Sequence, residues 1–269
     1  MSLRGVLFDA AGTLIELSEP PGETYARVAA AHGVALSPWR IGDAFRRVVA
    51  QATPMVFPGE TLERSAELER EWWRGVVRST FLAADSATRF DDFDAFFAEL
   101  FARFGRPGSW RSRPGARDAL RSLRSAGLAT GVVSNFDQRL AKILQDLDFQ
   151  PLLDCVVVPA QVGFAKPSRE IFAFALDLLK LAPSEAAFVG DDADRDVRGA
   201  EALGFRAVDV ASLDTLADLP ERLGTPAARS AGATPATGGV DRPDTKMQLS
   251  AEPPAAAPNP VAARGSRPV

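Results

Sequence analysis

The chain has 269 residues, of which 46% are hydrophobic and 25% are charged, proportions that are ordinary for a globular protein. Its net charge of −4 argues against a nucleic-acid or anionic-membrane partner, because both are bound through a basic surface. The single cysteine, Cys155, excludes an internal disulfide and a cysteine-ligated zinc site.

The first residues predict a buried strand and no export signal. The stretch "GVLFDA", residues 5–10, is a short apolar run ended by turn residues. Asp9 and Glu16 interrupt the apolar core that a signal peptide needs, and no later run approaches the roughly 20 residues that span a bilayer. We therefore expect a cytoplasmic protein without a membrane partner.

Residues 16–110 predict helices only. Four segments place apolar residues three and four positions apart, and nothing between them has the alternation of a strand. The segments are "ETYARVAAAHG", "PWRIGDAFRRVVAQA", "ETLERSAELEREWWRGVVRSTFL" and "DDFDAFFAELFARFG". The stretch therefore predicts a helical insertion.

After residue 110 helices and strands alternate. The predicted strands are "LATGVVSN", "CVVVP", "AAFVGD" and "FRAVDV", and the helices between them include "SREIFAFALDLLKL" and "ADRDVRGAEALG". Such alternation indicates parallel βαβ units with right-handed crossovers and helices on both faces of the sheet. The sequence predicts an α/β fold in which residues 1–15 and 111–223 form a Rossmann-like parallel-sheet core and residues 16–110 form an all-helical cap inserted after the first core strand.

Residues 224–269 have a different composition. They are rich in Ala, Pro, Gly and Ser, contain few large apolar residues and show no period. Such a segment cannot bury enough apolar surface to offset the entropy of ordering the chain. The sequence predicts a disordered tail.

Polar residues follow four predicted strands. Asp9 ends the first, Ser134 and Asn135 end the second, Lys166 lies after the third, and the acidic run at 190–196 follows the fourth. A turn aspartate, a helix cap, a surface lysine and a charged first helical turn would each explain one of these positions alone. In open α/β sheets, however, ligands bind beyond the carboxyl ends of the strands, so the combination predicts one site.

Four motifs in this order resemble those of the haloacid dehalogenase-like (HAD) hydrolase superfamily. They are "FDAAGTL", "VVSN", "AKP" and "VGDDADRD". The resemblance spans roughly residues 5–223 and identifies the helical insertion as a C1-type cap. The stretches "PGETYARVAAAHG" and "SNFDQRL", and the "WW" at 72–73, further resemble the branch of haloacid dehalogenase-like hydrolase domain-containing protein 3.

This resemblance implies catalytic and substrate-binding roles for five residues. Asp9 would be the nucleophile and would form a covalent aspartyl intermediate, which splits one difficult displacement into two easier ones. Lys166 would keep Asp9 ionised and would contact the bound anion. Thr13 and Ser134 would hold oxygens of the transferring group, and Asn135 would join them in binding the substrate.

The resemblance also implies a Mg²⁺ cofactor. Asp191 would ligate the ion together with Asp9 and the backbone carbonyl of Ala11, and Asp196 would complete the water-mediated shell, with Asp192 as a further candidate. Magnesium prefers oxygen ligands and keeps several waters, so two or three carboxylates suffice. The implied partner is a small phosphorylated molecule, bound by a monomer or a homodimer.

Ala11 departs from the pattern of most HAD phosphatases, which carry a second aspartate two positions after the nucleophile. That aspartate protonates the leaving group and then activates water, and a methyl group does neither. Loss of a general acid/base costs on the order of 10²–10⁴ in rate. Members that cleave phosphonates also have alanine here but use a cap lysine, and the four lysines of this chain lie outside the cap, at 142, 166, 180 and 246.

Three functions remain open. The favoured one is a Mg²⁺-dependent phosphatase acting on a small phosphorylated metabolite, because the chain keeps the acidic "GDDADRD" motif. The second is a 2-haloacid dehalogenase-type hydrolase that needs no metal; Arg40 is a candidate for its substrate arginine, although a solvated arginine at a helix start is the favoured interpretation. The third is a weakly active or non-catalytic ligand-binding protein.

Overall fold

The structure is a computed structural model that describes residues 2–225. This part of the chain contains seven strands: β1 Gly5–Phe8, β2 Ile15–Leu17, β3 Trp110–Ser112, β4 Ala129–Val133, β5 Cys155–Val157, β6 Ala186–Gly190 and β7 Arg206–Asp209. Its α-helices are α1 Pro21–Ala31, α2 Pro38–Gln51, α3 Leu62–Ala84, α4 Phe93–Arg103, α5 Ala116–Ser125, α6 Leu140–Asp146, α7 Pro159–Val162, α8 Arg169–Leu179, α9 Gly199–Glu201 and α10 Leu219–Arg222. None of these helices combines the length and the apolar character that a membrane crossing requires.

Five parallel strands form the central sheet, in the order β5-β4-β1-β6-β7. Successive residues of β1 point to opposite faces: Val6 and Phe8 join one apolar cluster with α5 and α6, and Leu7 joins another with α8. Because helices cover both faces, β1 and β6 are buried along their whole length. The predicted α/β fold with a Rossmann-like parallel sheet is confirmed.

Helices α1 to α4 lie between the first and second strands of this sheet and have an apolar core of their own. Tyr25, Val28, Phe81, Phe96 and Leu100 belong to that core. Its aromatic rings meet largely edge to face, as Phe81 and Phe96 do at a centroid distance of 5.2 Å. The aromatic residues that recur along the predicted cap helices therefore serve chiefly to pack those helices together.

A short ribbon of two strands was not predicted within the helical stretch. Strands β2 and β3 pair antiparallel, with Leu17 opposite Trp110 and Ile15 opposite Ser112. Strands of three residues are too short to show alternation, and their pairing joins positions far apart in the chain, so no local pattern could indicate them. The division between core and cap predicted at residues 16 and 110 falls inside this ribbon.

The helix predicted after the fourth core strand begins in an unusual form. Residues Ala193–Arg198 form a π-helical turn, in which the amides of Asp196 and Val197 both donate to the Asp192 carbonyl, at 3.0 and 3.2 Å. Short π-helical turns occur frequently at functional sites. Here the wider turn accompanies an Asp196 side chain that is almost completely buried.

The predicted disordered tail, residues 224–269, lies outside the described residues apart from its first two positions. Those two continue the core: Thr225 closes back on α10 through a backbone hydrogen bond to the Pro220 carbonyl at 2.9 Å.

Candidate active site

Three adjacent strands end at one edge of the sheet and each delivers a polar residue there. Asp9 directly follows β1 and its amide donates to the Val189 carbonyl at 2.9 Å. Ser134 directly follows β4, and its amide donates to the Val157 carbonyl at 3.0 Å. Asp191 directly follows β6. Since β1 lies between β4 and β6, the sheet itself brings the three predicted residues together.

Lys166 reaches this edge from the loop after α7 and lies between two carboxylates. Its Nζ is 2.6 Å from Asp9 Oδ1 and 2.7 Å from Asp196 Oδ1. Lys166 is 5% exposed, Asp9 7% and Asp196 1%. One ammonium group at contact distance from two buried carboxylates is a strong, directional arrangement that keeps all three side chains in place.

Asn135 holds the loop that carries Lys166. Its Nδ2 donates to the Lys166 carbonyl at 2.9 Å, and its Oδ1 accepts from the Lys166 amide at 2.7 Å. The sequence placed Asn135 among the substrate-binding residues, and in the structure both ends of its carboxamide are engaged with Lys166 instead. Asn135 therefore positions the backbone of the lysine.

Asp9, Asp191 and Asp196 form a cluster of acids. Each offers a carboxylate oxygen, and these oxygens all lie within 4.8 Å of one another. Removal from water, together with the charges of Asp9 and Asp196, raises the pKa of Asp191. Burial also raises the pKa of Asp196, although Lys166 opposes that rise. Three carboxylates lie together while one ammonium group contacts two of them, and oxygen donors of this kind fit a hard divalent cation such as Mg²⁺.

Two glycines allow these carboxylates to approach the backbone. Gly12 has φ of +95°, and a Cβ on it would lie 2.3 Å from Asp191 Oδ2. A Cβ on Gly190 would lie 2.3 Å from Asp196 Oδ2. Glycine adopts this positive φ readily and has no Cβ to clash with Asp191, which explains why the turn after Asp9 contains glycine at position 12.

Backbone hydrogen bonds to one carbonyl group close the loop after Asp9. The Ala10 carbonyl accepts from the amides of Leu14 and Ile15, at 2.8 and 2.9 Å. None of the backbone hydrogen bonds that close this loop within the described chain uses the Ala11 carbonyl. Thr13 is buried and its Oγ1 donates to Asp191 Oδ1 at 3.3 Å. The backbone bonds of this loop therefore do not engage the Ala11 carbonyl.

Asp192 is not part of the cluster, contrary to its place among the metal-ligand candidates. Its Oδ1 accepts from the amides of Asp194 and Arg195, at 2.9 and 2.8 Å, and its Oδ2 pairs with Arg195 Nε at 3.0 Å. An aspartate before a helical turn caps the free amides of that turn. Its carboxylate is committed to that capping role.

The loop that follows Ser134 and Asn135 is fastened to the cap by a buried carboxylate. Asp137, 1% exposed, accepts from Trp73 Nε1 of α3 at 2.8 Å and from Arg139 Nη2 at 2.6 Å. Arg139 in turn donates to the Phe101 carbonyl of α4 at 2.9 Å. Sequence analysis did not anticipate this link; the signal for it is an indole, which needs an acceptor when it is buried.

A second cap–core link lies beside the first. Glu69 of α3 is buried, and its Oε2 accepts from the backbone amide and the side chain of Gln138, at 3.2 and 3.3 Å. Burial raises the pKa of Glu69 to about 7, an effect that the hydrogen bonds from Gln138 reduce and the charge of Asp137 increases. The cap and the loop carrying Ser134 are thus joined by two buried polar contacts.

Glu69 should make the stability of the protein depend on pH. Because the folded chain holds this proton up to about pH 7, whereas the ordinary pKa is 4.5, the stability contribution of Glu69 is complete at acidic pH and falls as pH rises between these values. Glu69→Gln should therefore have a larger free energy of unfolding than the wild type in urea denaturation at pH 8, by up to about 3 kcal/mol, and by less than about 1 kcal/mol at pH 5. The exposed Glu67→Gln, on the same helix, is the control. An equal effect of Glu69→Gln at both pH values would contradict the shift.

Comparison with known proteins finds the same family that the four sequence motifs resemble. A protein-family model described as haloacid dehalogenase-like hydrolase matches residues 3–204. The haloacid dehalogenase-like hydrolase domain-containing protein 3 of Mus musculus is 36% identical over 219 residues, covering 80% of this chain and 85% of that protein.

Solved structures with the same fold include both a phosphatase and a dehalogenase. A HAD phosphatase from Thermococcus onnurineus superposes with a TM-score of 0.57 at 22% identity, covering 84% of this chain and 100% of that one. The L-2-haloacid dehalogenase from Xanthobacter autotrophicus gives the same TM-score at 21% identity, covering 84% of each chain. The fold alone therefore does not distinguish the two reactions.

Proposed function

Because the chain belongs to the haloacid dehalogenase-like hydrolase family, we propose that it is a Mg²⁺-dependent phosphatase that acts on a small phosphorylated metabolite through Asp9. The observation that carries this proposal is the cluster of Asp9, Asp191 and Asp196, two of which contact Lys166. A hydrolase that attacks an uncharged carbon has no need of such a cluster, whereas a carboxylate that attacks a phosphate must overcome the repulsion between two anions.

Asp9 would be the nucleophile. Lys166 holds Oδ1, so Oδ2 is the oxygen that attacks phosphorus; the Oδ2–P bond forms while the bond from phosphorus to the leaving oxygen breaks. Lys166, whose Nζ lies 2.6 Å from Asp9 Oδ1, would orient the nucleophile. The buried hydroxyls of Thr13 and Ser134 would hold the phosphoryl oxygens.

The cluster fits a magnesium site. Asp9, Asp191 and the Ala11 carbonyl would ligate the ion, and Asp196, which contacts Lys166, would bind through water. When bound, Mg²⁺ supplies positive charge that offsets the repulsion between Asp9 and the substrate phosphate.

Ala11 affects both halves of the reaction. In the first half no side chain at this position gives a proton to the leaving oxygen, so the leaving group must depart as a stable anion. In the second half no side chain there takes a proton from the water that hydrolyses the aspartyl phosphate. We therefore infer that substrates with acidic leaving groups are favoured and that hydrolysis of the intermediate limits turnover.

A slow second half-reaction should produce a burst. With 4-nitrophenyl phosphate, whose leaving group is acidic, rapid mixing should release nitrophenol in an initial phase close to one equivalent per enzyme, followed by slow turnover. Asp9→Asn should abolish both phases because it lacks the attacking carboxylate. A burst that survives in Asp9→Asn would assign the nucleophile to another residue.

Restoring the second acid should raise turnover. Ala11→Asp should remove the burst and raise the steady-state rate on the order of 10²-fold or more, most strongly for alkyl phosphates, because it supplies proton transfer in both halves. Ala11→Asn is the matched control, because asparagine has nearly the same size as aspartate but no titratable group. Equal rates for the two variants would show that proton transfer at this position is not the missing element.

Mg²⁺ should stabilise the protein through the cluster. Thermal unfolding should shift upward by a few degrees at saturating Mg²⁺ in the wild type, because a ligand that binds only the folded state stabilises it. The shift should vanish in Asp191→Asn and persist in Asp192→Asn, where asparagine can still cap the helical turn. An equal shift in both variants would place the ion elsewhere.

A dehalogenase is the second candidate, and Ala11 is the observation that favours it, since halide departure needs no proton. In that reaction Asp9 would displace halide from a 2-haloacid and water would cleave the resulting ester. Arg40 does not supply the arginine considered for it: the side chain is exposed and its Nη2 donates to the Ala84 carbonyl at 2.7 Å, at the end of α3.

One panel separates the candidates. Halide release from 2-chloropropionate in the presence of a chelator would establish the dehalogenase. Phosphate release that requires Mg²⁺ would establish the phosphatase. If neither reaction occurs while Mg²⁺ still binds, the protein is the non-catalytic ligand-binding form that was the third possibility.

A further inference from the structure

Arg113 contacts the loop after Asp9 at two points. The residue directly follows β3, and its amide donates to the Leu14 carbonyl at 2.9 Å, next to the last pair of the β2–β3 ribbon. Its Nη1 donates to the Gly12 carbonyl. Because Gly12 and Leu14 lie on either side of Thr13, one arginine binds the carbonyl groups of both residues that flank the threonine.

Gly12 is the residue of this loop that most needs a restraint. Glycine has wider backbone freedom than any other residue, and Gly12 has φ of +95°. No backbone amide of residues 2–225 donates to its carbonyl, which is bonded to the Arg113 side chain instead. Loss of the guanidinium would therefore release the peptide group that joins Gly12 to Thr13.

Thr13 is the residue through which this restraint reaches the proposed chemistry. Its side chain is buried, and its Oγ1 donates to Asp191 Oδ1 at 3.3 Å. In the proposed reaction this hydroxyl would hold a phosphoryl oxygen instead. A displacement of about 1 Å in a group that positions a substrate can cost on the order of 10²-fold in rate. The carbonyl groups that Arg113 binds therefore bear directly on the reaction.

Glu16 of β2 interacts with Arg113 and with a second arginine. Its Oε2 lies 3.9 Å from Arg113 Nε, and its Oε1 accepts from Arg111 Nε at 2.9 Å. Arg111 lies opposite Glu16 in the ribbon, and within residues 2–225 its side chain bonds to Glu16 alone. Arg111 thus shares the charge, the strand and the acidic partner of Arg113 but lacks the contact with the loop.

We propose that Arg113 is a positioning residue, which holds the Thr13 hydroxyl in place through the Gly12 and Leu14 carbonyls. The inference rests on the proposed function for its kinetic consequence, because the role of Thr13 in the reaction comes from there. The restraint of the loop does not depend on which reaction Asp9 performs. Arg113 follows the strand by which the chain returns from the inserted helices, so it ties the end of that insertion to the loop after the nucleophile.

Removing the guanidinium should slow the reaction. Arg113→Met keeps a long side chain without a donor or a charge, and with 4-nitrophenyl phosphate and Mg²⁺ it should lose about tenfold or more in kcat/KM. Arg113→Lys keeps a donor at the end of a long side chain and should recover part of the loss. Arg111→Met is the matched control and should keep the wild-type kcat/KM.

A double-mutant cycle shows whether Arg113 acts through Thr13. Thr13→Val keeps the shape of the threonine and removes its hydroxyl. If Arg113 positions that hydroxyl, Arg113→Met should cause little further loss of kcat/KM in the Thr13→Val background, whereas two independent effects would multiply. Multiplied losses would overturn the inference, because Arg113 would then act by a route that does not include the hydroxyl.

Amide hydrogen exchange tests the restraint without a substrate. In Arg113→Met the amides of residues 9–15 should exchange several-fold faster than in the wild type, because the loop opens locally, while the amides of α5 should keep their rate. Arg111→Met should change neither. This measurement also decides the question if Thr13→Val does not fold.

The outcomes separate this inference from the phosphatase proposal. Faster exchange confined to residues 9–15 in Arg113→Met would support the restraint even if the wild type releases no phosphate. Unchanged exchange in that variant, or equal losses of kcat/KM in Arg113→Met and Arg111→Met, would overturn the inference even if the phosphatase proposal is correct.

Discussion

The contact of one lysine with two buried carboxylates determines how the rest of the site is built. Asp9 and Asp196 come from opposite ends of the core sequence and carry like charges, and only the ammonium group of Lys166 between them makes their burial acceptable. Asn135 fixes the backbone of that lysine. The π-helical turn at 193–198 and the glycine at position 190 then allow Asp196 to approach.

Much of this could be predicted from the sequence because it follows from order along the chain. Polar residues at the ends of predicted parallel strands must meet at one edge of the sheet, and Asp9, Ser134 and Asp191 do lie at one edge. What the sequence does not reveal is short-range competition for the same side chain. Asp192 and Asn135 have the right chemistry for a ligand site, but a helix start and a neighbouring backbone use their oxygen and nitrogen atoms first.

Contacts between the cap and the core were beyond sequence reasoning altogether. The bond from Trp73 to Asp137 joins α3 to the loop after β4, and neither residue has a local pattern that reveals its partner. Polar contacts of this kind hold α3 against the loop after Ser134.

The two-stranded ribbon has a consequence for how such a protein can vary. Leu17 and Trp110 face each other, so the chain leaves the core and returns to it at one point. The entropic cost of closing a loop grows only slowly with its length, so the stability of the core depends little on the length of the inserted segment. A different insertion could be grafted onto the same pair of strands, and substrate choice could change by exchange of a module while the chemistry beneath it stays as it is.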